Sequence, residues 1–198
     1  MNLDRFYPIF DDYLWLQRLL PLGIQLVQLR IKEQTTKQVR AQIIQAKKLC
    51  ETYNATLIVN DYWELAMELK CQWVHLGQED LEEADVAAIR RSGMKLGVST
   101  HDEEELERAL ALAPDYLALG PVYPTILKKM KWHEQGLPRI TEWKKLIGSI
   151  PLVGIGGMTV ERARGVFEAG ADIISVVTDN TLNKSPERRV EDWIKATR

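Results

Sequence analysis

The feature that most restricts this chain is a repeated switch of hydrophobic period along its whole length. Short apolar runs occur at 6–10 (FYPIF), 24–30 (IQLVQLR), 56–60 (TLIVN), 73–77 (WVHLG), 95–99 (KLGVS), 116–120 (YLALG), 151–157 (PLVGIGG) and 172–177 (DIISVV). Between them lie stretches of helical spacing, of which 35–53, 102–113 and 159–170 are the clearest, the last closing on Gly170 as a C-cap. Alternation of this kind demands parallel strands joined by right-handed crossovers, and eight repeats can close into a barrel. At 198/8 ≈ 25 residues per repeat, the chain sits near the lower size limit of such barrels, roughly 200 residues. An open doubly wound sheet would suit five or six strands and a Gly-rich turn after the first, whereas Gly156-Gly157 follows the seventh. The expectation is an α/β chain forming a single (β/α)8 TIM barrel over residues 1–198, with no linker or low-complexity segment.

Composition narrows the classes of function. The 26 basic and 28 acidic residues leave a net charge of −2, so no overall field recruits nucleic acid or an anionic membrane. Six tryptophans are scattered among strands and helices without a basic patch, a pattern of packing and not of base stacking. Cys50 and Cys71 are too few for a disulfide framework and do not fall at metal-ligand spacing with His75, His101 and His133, so reduced thiols are expected. No apolar run reaches about 18 residues, and the N-terminal stretch lacks a basic region and a cleavage site, so the expectation is a cytoplasmic protein. Self-association into a homo-oligomer stays open.

The chemistry collects at the strand ends, where active sites of such barrels lie. Gln28, Arg30 and Lys32 are spaced by two, so an extended backbone turns all three to one side, and an Arg fork beside a Lys suits a phosphate or diphosphate. Asn60-Asp61 ends the third strand, and Gln78-Glu79-Asp80 follows the fourth. Asp61 and Asp80 could share a hard cation such as Mg²⁺ or merely cap the helices that begin after them. His75 alternates with Val74 and Leu76 and is read as a hydrogen-bonded barrel-interior histidine. Ser99 ends the fifth strand. The long stretch 121–139, carrying Thr125 and Lys128, reads as an irregular lid candidate on the same face. Gly156-Gly157 and the eighth strand end, Val177-Thr178, occupy the usual phosphate cradle.

Six stretches together, QLRIK (28–32), ND (60–61), HLGQED (75–80), GVSTH (97–101), LGPVYPT (119–125) and VGIGG (153–157), make the chain resemble the thiamine phosphate synthase family over nearly its whole length. The resemblance implies a (β/α)8 transferase joining hydroxymethylpyrimidine diphosphate to hydroxyethylthiazole phosphate with release of pyrophosphate. It further implies that Gln28 and Ser99 hold the pyrimidine and that Arg30, Lys32, Asn60 and Lys128 grip the diphosphate. By the same resemblance Asp61 and Asp80 hold Mg²⁺, while Thr125, Gly157, Val177 and Thr178 bind the thiazole phosphate. The chain departs from the family pattern after Pro124-Thr125, where Ile126-Leu127 precedes Lys128 in place of a second hydroxylated residue, and Lys129 and Lys131 compete for the role given to Lys128. Two other readings remain. A thiazole tautomerase would use His101 as acid or base but has no use for a diphosphate clamp, and a non-catalytic barrel would bind a phosphate ligand without turnover.

Overall fold

The computed structural model describes residues 3–126 and 132–198. Eight parallel strands, β1 (Phe6–Phe10), β2 (Leu26–Leu29), β3 (Thr56–Asn60), β4 (Trp73–Leu76), β5 (Lys95–Thr100), β6 (Tyr116–Leu119), β7 (Leu152–Ile155) and β8 (Ile173–Val176), pair in sequence order and close on themselves. The closure is made by β1 and β8, with Phe6 opposite Ile174 and Pro8 opposite Val176. Helices α1 (Tyr13–Leu19), α2 (Thr36–Thr52), α3 (Trp63–Glu68), α4 (Gln78–Glu83), α5 (Val86–Arg91) and α6 (Glu103–Ala111) follow the first five strands. After β6, β7 and β8 come α7 (Gly136–Ile147), α8 (Val160–Glu168), and then α9 (Thr178–Thr181) with α10 (Pro186–Thr197). The eight apolar runs thus become the eight strands, most of them trimmed at one or both ends and β5 extended by Thr100.

The helices start where local chemistry supplies a partner for free backbone N–H groups. Thr35 and Gln38 form a capping box at α2, and the carboxylates of Asp85 and Asp102 accept from Ala88 N and Glu105 N to open α5 and α6. One boundary differs from expectation. The stretch 121–139 is not irregular to its end, because α7 already begins at Gly136.

Strand alternation divides the core in two. Outward residues such as Val27, Leu29, Val74, Leu76 and Leu117 pack beneath the helices, while Tyr7, Leu26, Ile58, Trp73, Tyr116, Val153 and Ile173 plug the barrel interior. Each fully buried aliphatic side chain contributes about 1.5–3 kcal/mol relative to exposure. The seam is covered by α10, whose buried Trp193 stacks on Phe6 at 5.6 Å between ring centroids. Gly97 has a specific reason to be glycine, since a Cβ there would collide with the Tyr116 ring inside the barrel.

Candidate active site

Above the aromatic plug, the C-terminal ends of the strands enclose a cavity of about 100 Å³. Gln28, Arg30, Asn60 and Ser99 line it, joined by Tyr7, His75 and Ser175. A wider cleft of about 360 Å³ opens beside it, bounded by Asp11, Asp12, Arg30, Lys32, Glu33 and Gln34. Arg30 belongs to both, so its guanidinium is the shared wall between a snug chamber and an open one.

The period-two reading of Gln28, Arg30 and Lys32 holds in the burial pattern. Leu29 and Ile31 are buried in the outer core, Gln28 is buried on the barrel side, and Arg30 and Lys32 are exposed at the mouth. Lys32 forms an ion pair with Asp61, which brings the ends of β2 and β3 together. Asp61 has φ of 66°, a left-handed conformation that Asp tolerates better than most residues. Its backbone N–H donates to His75 O at 3.0 Å, pinning this turn to β4.

Neither Asp61 nor Asp80 is itself an N-cap residue, although the Asp80 carboxyl accepts from the backbone N–H of Gly77 at the start of α4. Residue 62 is the N-cap of α3 and Gly77 that of α4, neither with a side-chain cap, and Asp80 lies in the first turn of α4. The two carboxyl groups also meet each other. Burial, the Asp61 charge and a hydrogen bond with Asp61 together raise the Asp80 pKa from its ordinary value, with Lys32 and the backbone N–H of Gly77 opposing. Two carboxylates held together beside a lysine are a donor set that fits a hard divalent cation. Among the described residues no group of three or more His, Cys, Asp or Glu converges, so such an ion would take its remaining ligands from water and substrate oxygens, as Mg²⁺ commonly does.

His75 is an interior histidine, as its alternation predicts, yet its ring also reaches the cavity wall. Nδ1 lies 2.7 Å from the Tyr116 hydroxyl and Nε2 2.8 Å from Ser99 Oγ. Burial pushes its pKa down to about 4, with Arg30 adding to the depression and Asp61 opposing it, so the imidazole is neutral at physiological pH. Tyr7 and Tyr116 complete this layer and were not among the residues singled out from the sequence. A signal existed in a polar-tipped aromatic recurring at inward positions of otherwise apolar strands, opposite a glycine that leaves room for it.

On the other side of the mouth the loops after β6 and β7 interlock through backbone. Val122 N–H donates to Ile155 O at 2.9 Å and Tyr123 N–H to Gly156 O at 3.1 Å. Gly156 and Gly157 have φ of 98° and 62°, and a Cβ on Gly157 would sit 2.5 Å from Pro124 O. Thr125, Gly157 and Val177 lie on the loops after β6, β7 and β8, Thr178 opens α9, and none of the four lines either cavity. Lys128, Lys129 and Lys131 fall outside the described residues. His101 accepts no role at the chamber: its ring bonds Glu105 at 2.7 Å and stacks on Trp132 at 4.1 Å.

Taken as a class, this is a (β/α)8 barrel with two cationic side chains, Arg30 and Lys32, and a carboxylate pair at its C-terminal mouth. The sequence model of the thiamine monophosphate synthase family matches residues 7–179, and the chain belongs to that family. It is 56% identical over 197 residues to the thiamine-phosphate synthase of Rhizobium etli, covering 100% of this chain and 97% of that one. The thiamine-phosphate synthase of Cronobacter sakazakii is 46% identical over 191 residues, 96% of this chain and 88% of the relative. Among solved structures, the thiamine phosphate pyrophosphorylase of Pyrococcus furiosus superposes with a TM-score of 0.86 at 25% identity, covering 98% of this chain and 95% of that one.

Proposed function

We propose that the snug chamber holds the pyrimidine ring of hydroxymethylpyrimidine diphosphate and that its diphosphate lies across Arg30 toward Lys32 and the Asp61–Asp80 pair. The chain is a transferase of thiamine biosynthesis, making thiamine phosphate from that diphosphate and hydroxyethylthiazole phosphate. The reading is carried by Arg30, the one residue among those described that borders both the polar chamber and the charged cleft, as a diphosphate joined to a ring requires.

In this mechanism Gln28 and Ser99 orient the ring, while Arg30, Lys32, Asn60 and Lys128 hold the leaving group. The C–O bond to the diphosphate breaks with the electron pair leaving on oxygen. The electron-rich aminopyrimidine supports the cation left behind, and the thiazole nitrogen attacks that carbon. No protein nucleophile is required. Charge developing on the departing oxygens is met by the guanidinium and ammonium groups already in place, which is where most of the rate enhancement would arise. Asp61 and Asp80 would hold Mg²⁺, which would supply further neutralisation of that charge. Thr125, Gly157, Val177 and Thr178 hold the thiazole phosphate, with backbone N–H groups freed by the glycine turn.

The partners are therefore two small molecules. A cytoplasmic setting is supported by the two free cysteines, and no helix among the described residues is long and apolar enough to cross a membrane. The test is to mix purified chain with both substrates and Mg²⁺ and measure thiamine phosphate and pyrophosphate. Equal release of the two is expected. Ligand binding without either product would leave only a phosphate-binding barrel, and product from the thiazole alone would indicate a tautomerase.

A further inference from the structure

Four hydrogen bonds run in an unbroken line through the floor of the chamber. Gln28 Nε2 donates to the Tyr7 hydroxyl at 2.7 Å, and the Tyr7 and Tyr116 hydroxyls are 2.9 Å apart. Tyr116 lies 2.7 Å from His75 Nδ1, and His75 Nε2 lies 2.8 Å from Ser99 Oγ. The three interior members, Tyr7, Tyr116 and His75, are 2%, 0% and 7% exposed, so bulk water does not stand in for a missing partner.

Each phenol owns one proton, and a neutral imidazole owns one donor and one acceptor. Tyr7 accepts from Gln28, so its proton must go to Tyr116. Tyr116 must then pass its own proton to His75 Nδ1. That leaves the imidazole proton on Nε2, donated to Ser99 Oγ, and frees the serine proton for the cavity. At the other end Gln28 Oε1 has no hydrogen-bond partner among the described residues and remains an acceptor. With Gln28 Nε2 donating to Tyr7, any other direction strands a buried proton or sets two protons against each other.

We propose that Tyr7, Tyr116 and His75 form a one-way relay that makes Gln28 an acceptor and Ser99 a donor at the cavity wall, selecting a heterocycle whose edge carries an amino group beside a ring nitrogen. The proposal rests on the reading that the pyrimidine occupies this chamber and adds the residues that decide which pyrimidine. An amino N–H meets Gln28 Oε1, and the adjacent ring nitrogen accepts from Ser99. A 4-oxo pyrimidine presents the reverse order, carbonyl to carbonyl and N–H to O–H. To receive it, five groups would have to reverse together. Ser175 Oγ, on the same wall, is buried without a partner, a further polar atom turned toward a ligand rather than toward protein. Tyr7 and Tyr116 act through Gln28 and Ser99 and are positioning residues.

The experiment compares kcat/KM for the 4-amino diphosphate substrate and its 4-oxo analogue in wild type, Tyr7→Phe, Tyr116→Phe and the double variant, with folding followed by circular dichroism. Wild type should prefer the amino substrate by at least about 100-fold, as sites built around paired hydrogen bonds do. Either phenylalanine should lower that preference by about tenfold, the worth of one hydrogen bond of about 1.4 kcal/mol. The double variant should lose no more than the singles, because one break already uncouples the ends, and the KM for thiazole phosphate should stay unchanged. Folded single variants with the wild-type preference overturn the relay. Independently of any variant, ¹⁵N NMR of the wild-type chain saturated with the unreactive aminopyrimidine alcohol should show His75 protonated on Nε2 alone, and an Nδ1–H imidazole overturns the proposal. A wild-type chain that makes thiamine phosphate from neither substrate overturns the parent reading and the relay with it, whereas product formation without discrimination overturns the relay alone.

Discussion

The two sides of the barrel mouth are built from different material. From β2 to β5 the site consists of polar side chains that touch one another: Lys32 on Asp61, Asp61 on Asp80, His75 on Ser99. From β6 to β7 it consists of backbone fitted against backbone, with Gly156 and Gly157 lying under residues 121 to 124. In the proposed mechanism the difference separates two tasks. Bond breaking needs charges placed where charge develops, and only side chains carry them. Holding a phosphate that does not react needs a shape with exposed N–H groups, which glycine provides without charge. Damage to the first side should therefore appear in the chemical step, and damage to the second in binding and stability.

The largest expected effect tests the charged side at its carboxylates. Excess chelator should abolish turnover, and Asp61→Asn should lower kcat/KM by about 10²–10³-fold, the scale of losing a preorganised electrostatic contact. Because asparagine also tolerates the left-handed backbone at this position, the variant should melt with wild type. Full activity in chelator would remove the metal from the mechanism. Next come Arg30→Ala and Lys32→Ala, each giving up a charge-assisted hydrogen bond of about 1.5–3 kcal/mol, or roughly a tenfold to hundredfold slower single-turnover cleavage. Cleavage at the wild-type rate in both would show that the strand end is only solvated.

Gly157→Ala tests the other side. The left-handed backbone at φ 62° and the 2.5 Å approach to Pro124 O should cost about 1–2 kcal/mol of stability. The KM for thiazole phosphate should rise several-fold while the cleavage rate of the pyrimidine diphosphate stays near wild type. A slowed cleavage step with unchanged thiazole binding would erase the division between the two sides. The smallest effect concerns the ion pairs behind this cradle, where Arg189 joins Glu161 at the start of α8 to Asp179 in α9. The hydrogen bond from Arg189 lowers the Glu161 pKa to about 2, so its contribution is present above the ordinary glutamate range and lost as pH falls from about 4.5 toward 2. With the carboxylate 69% exposed, screening holds this to a few tenths of a kcal/mol. Comparing melting temperatures of wild type and Glu161→Gln across pH 2–5 should show the gap closing at the acid end.

Much of the charged side was legible before folding, because its signal is local. Spacing by two is enough to turn Gln28, Arg30 and Lys32 one way, whatever strand lies next to them. The capping alternative was equally local and fails for Asp61, whose turn points its carboxylate across the mouth to Lys32 and Asp80, whereas Asp80 faces Asp61 and also accepts from Gly77 N–H at the start of its own helix. The onset of α7 at Gly136 was hidden behind a polar, proline-bracketed stretch whose helix gains its partners only from the loop after β6, where Gln135 N–H and Gly136 N–H bond Pro121 O and Val122 O at 2.7 and 2.9 Å.

By itself the sequence determined the barrel, since eight changes of hydrophobic period admit few other parallel folds, and it determined which residue types crowd the strand ends. The tertiary structure alone decided which of these groups meet. Tyr7 and Tyr116 are 109 positions apart, and His75 and Ser99 come from neighbouring strands with their own independent patterns. Their hydrogen bonds exist because barrel closure sets the register of every inward side chain at once, and burial then leaves each proton only one neighbour to go to.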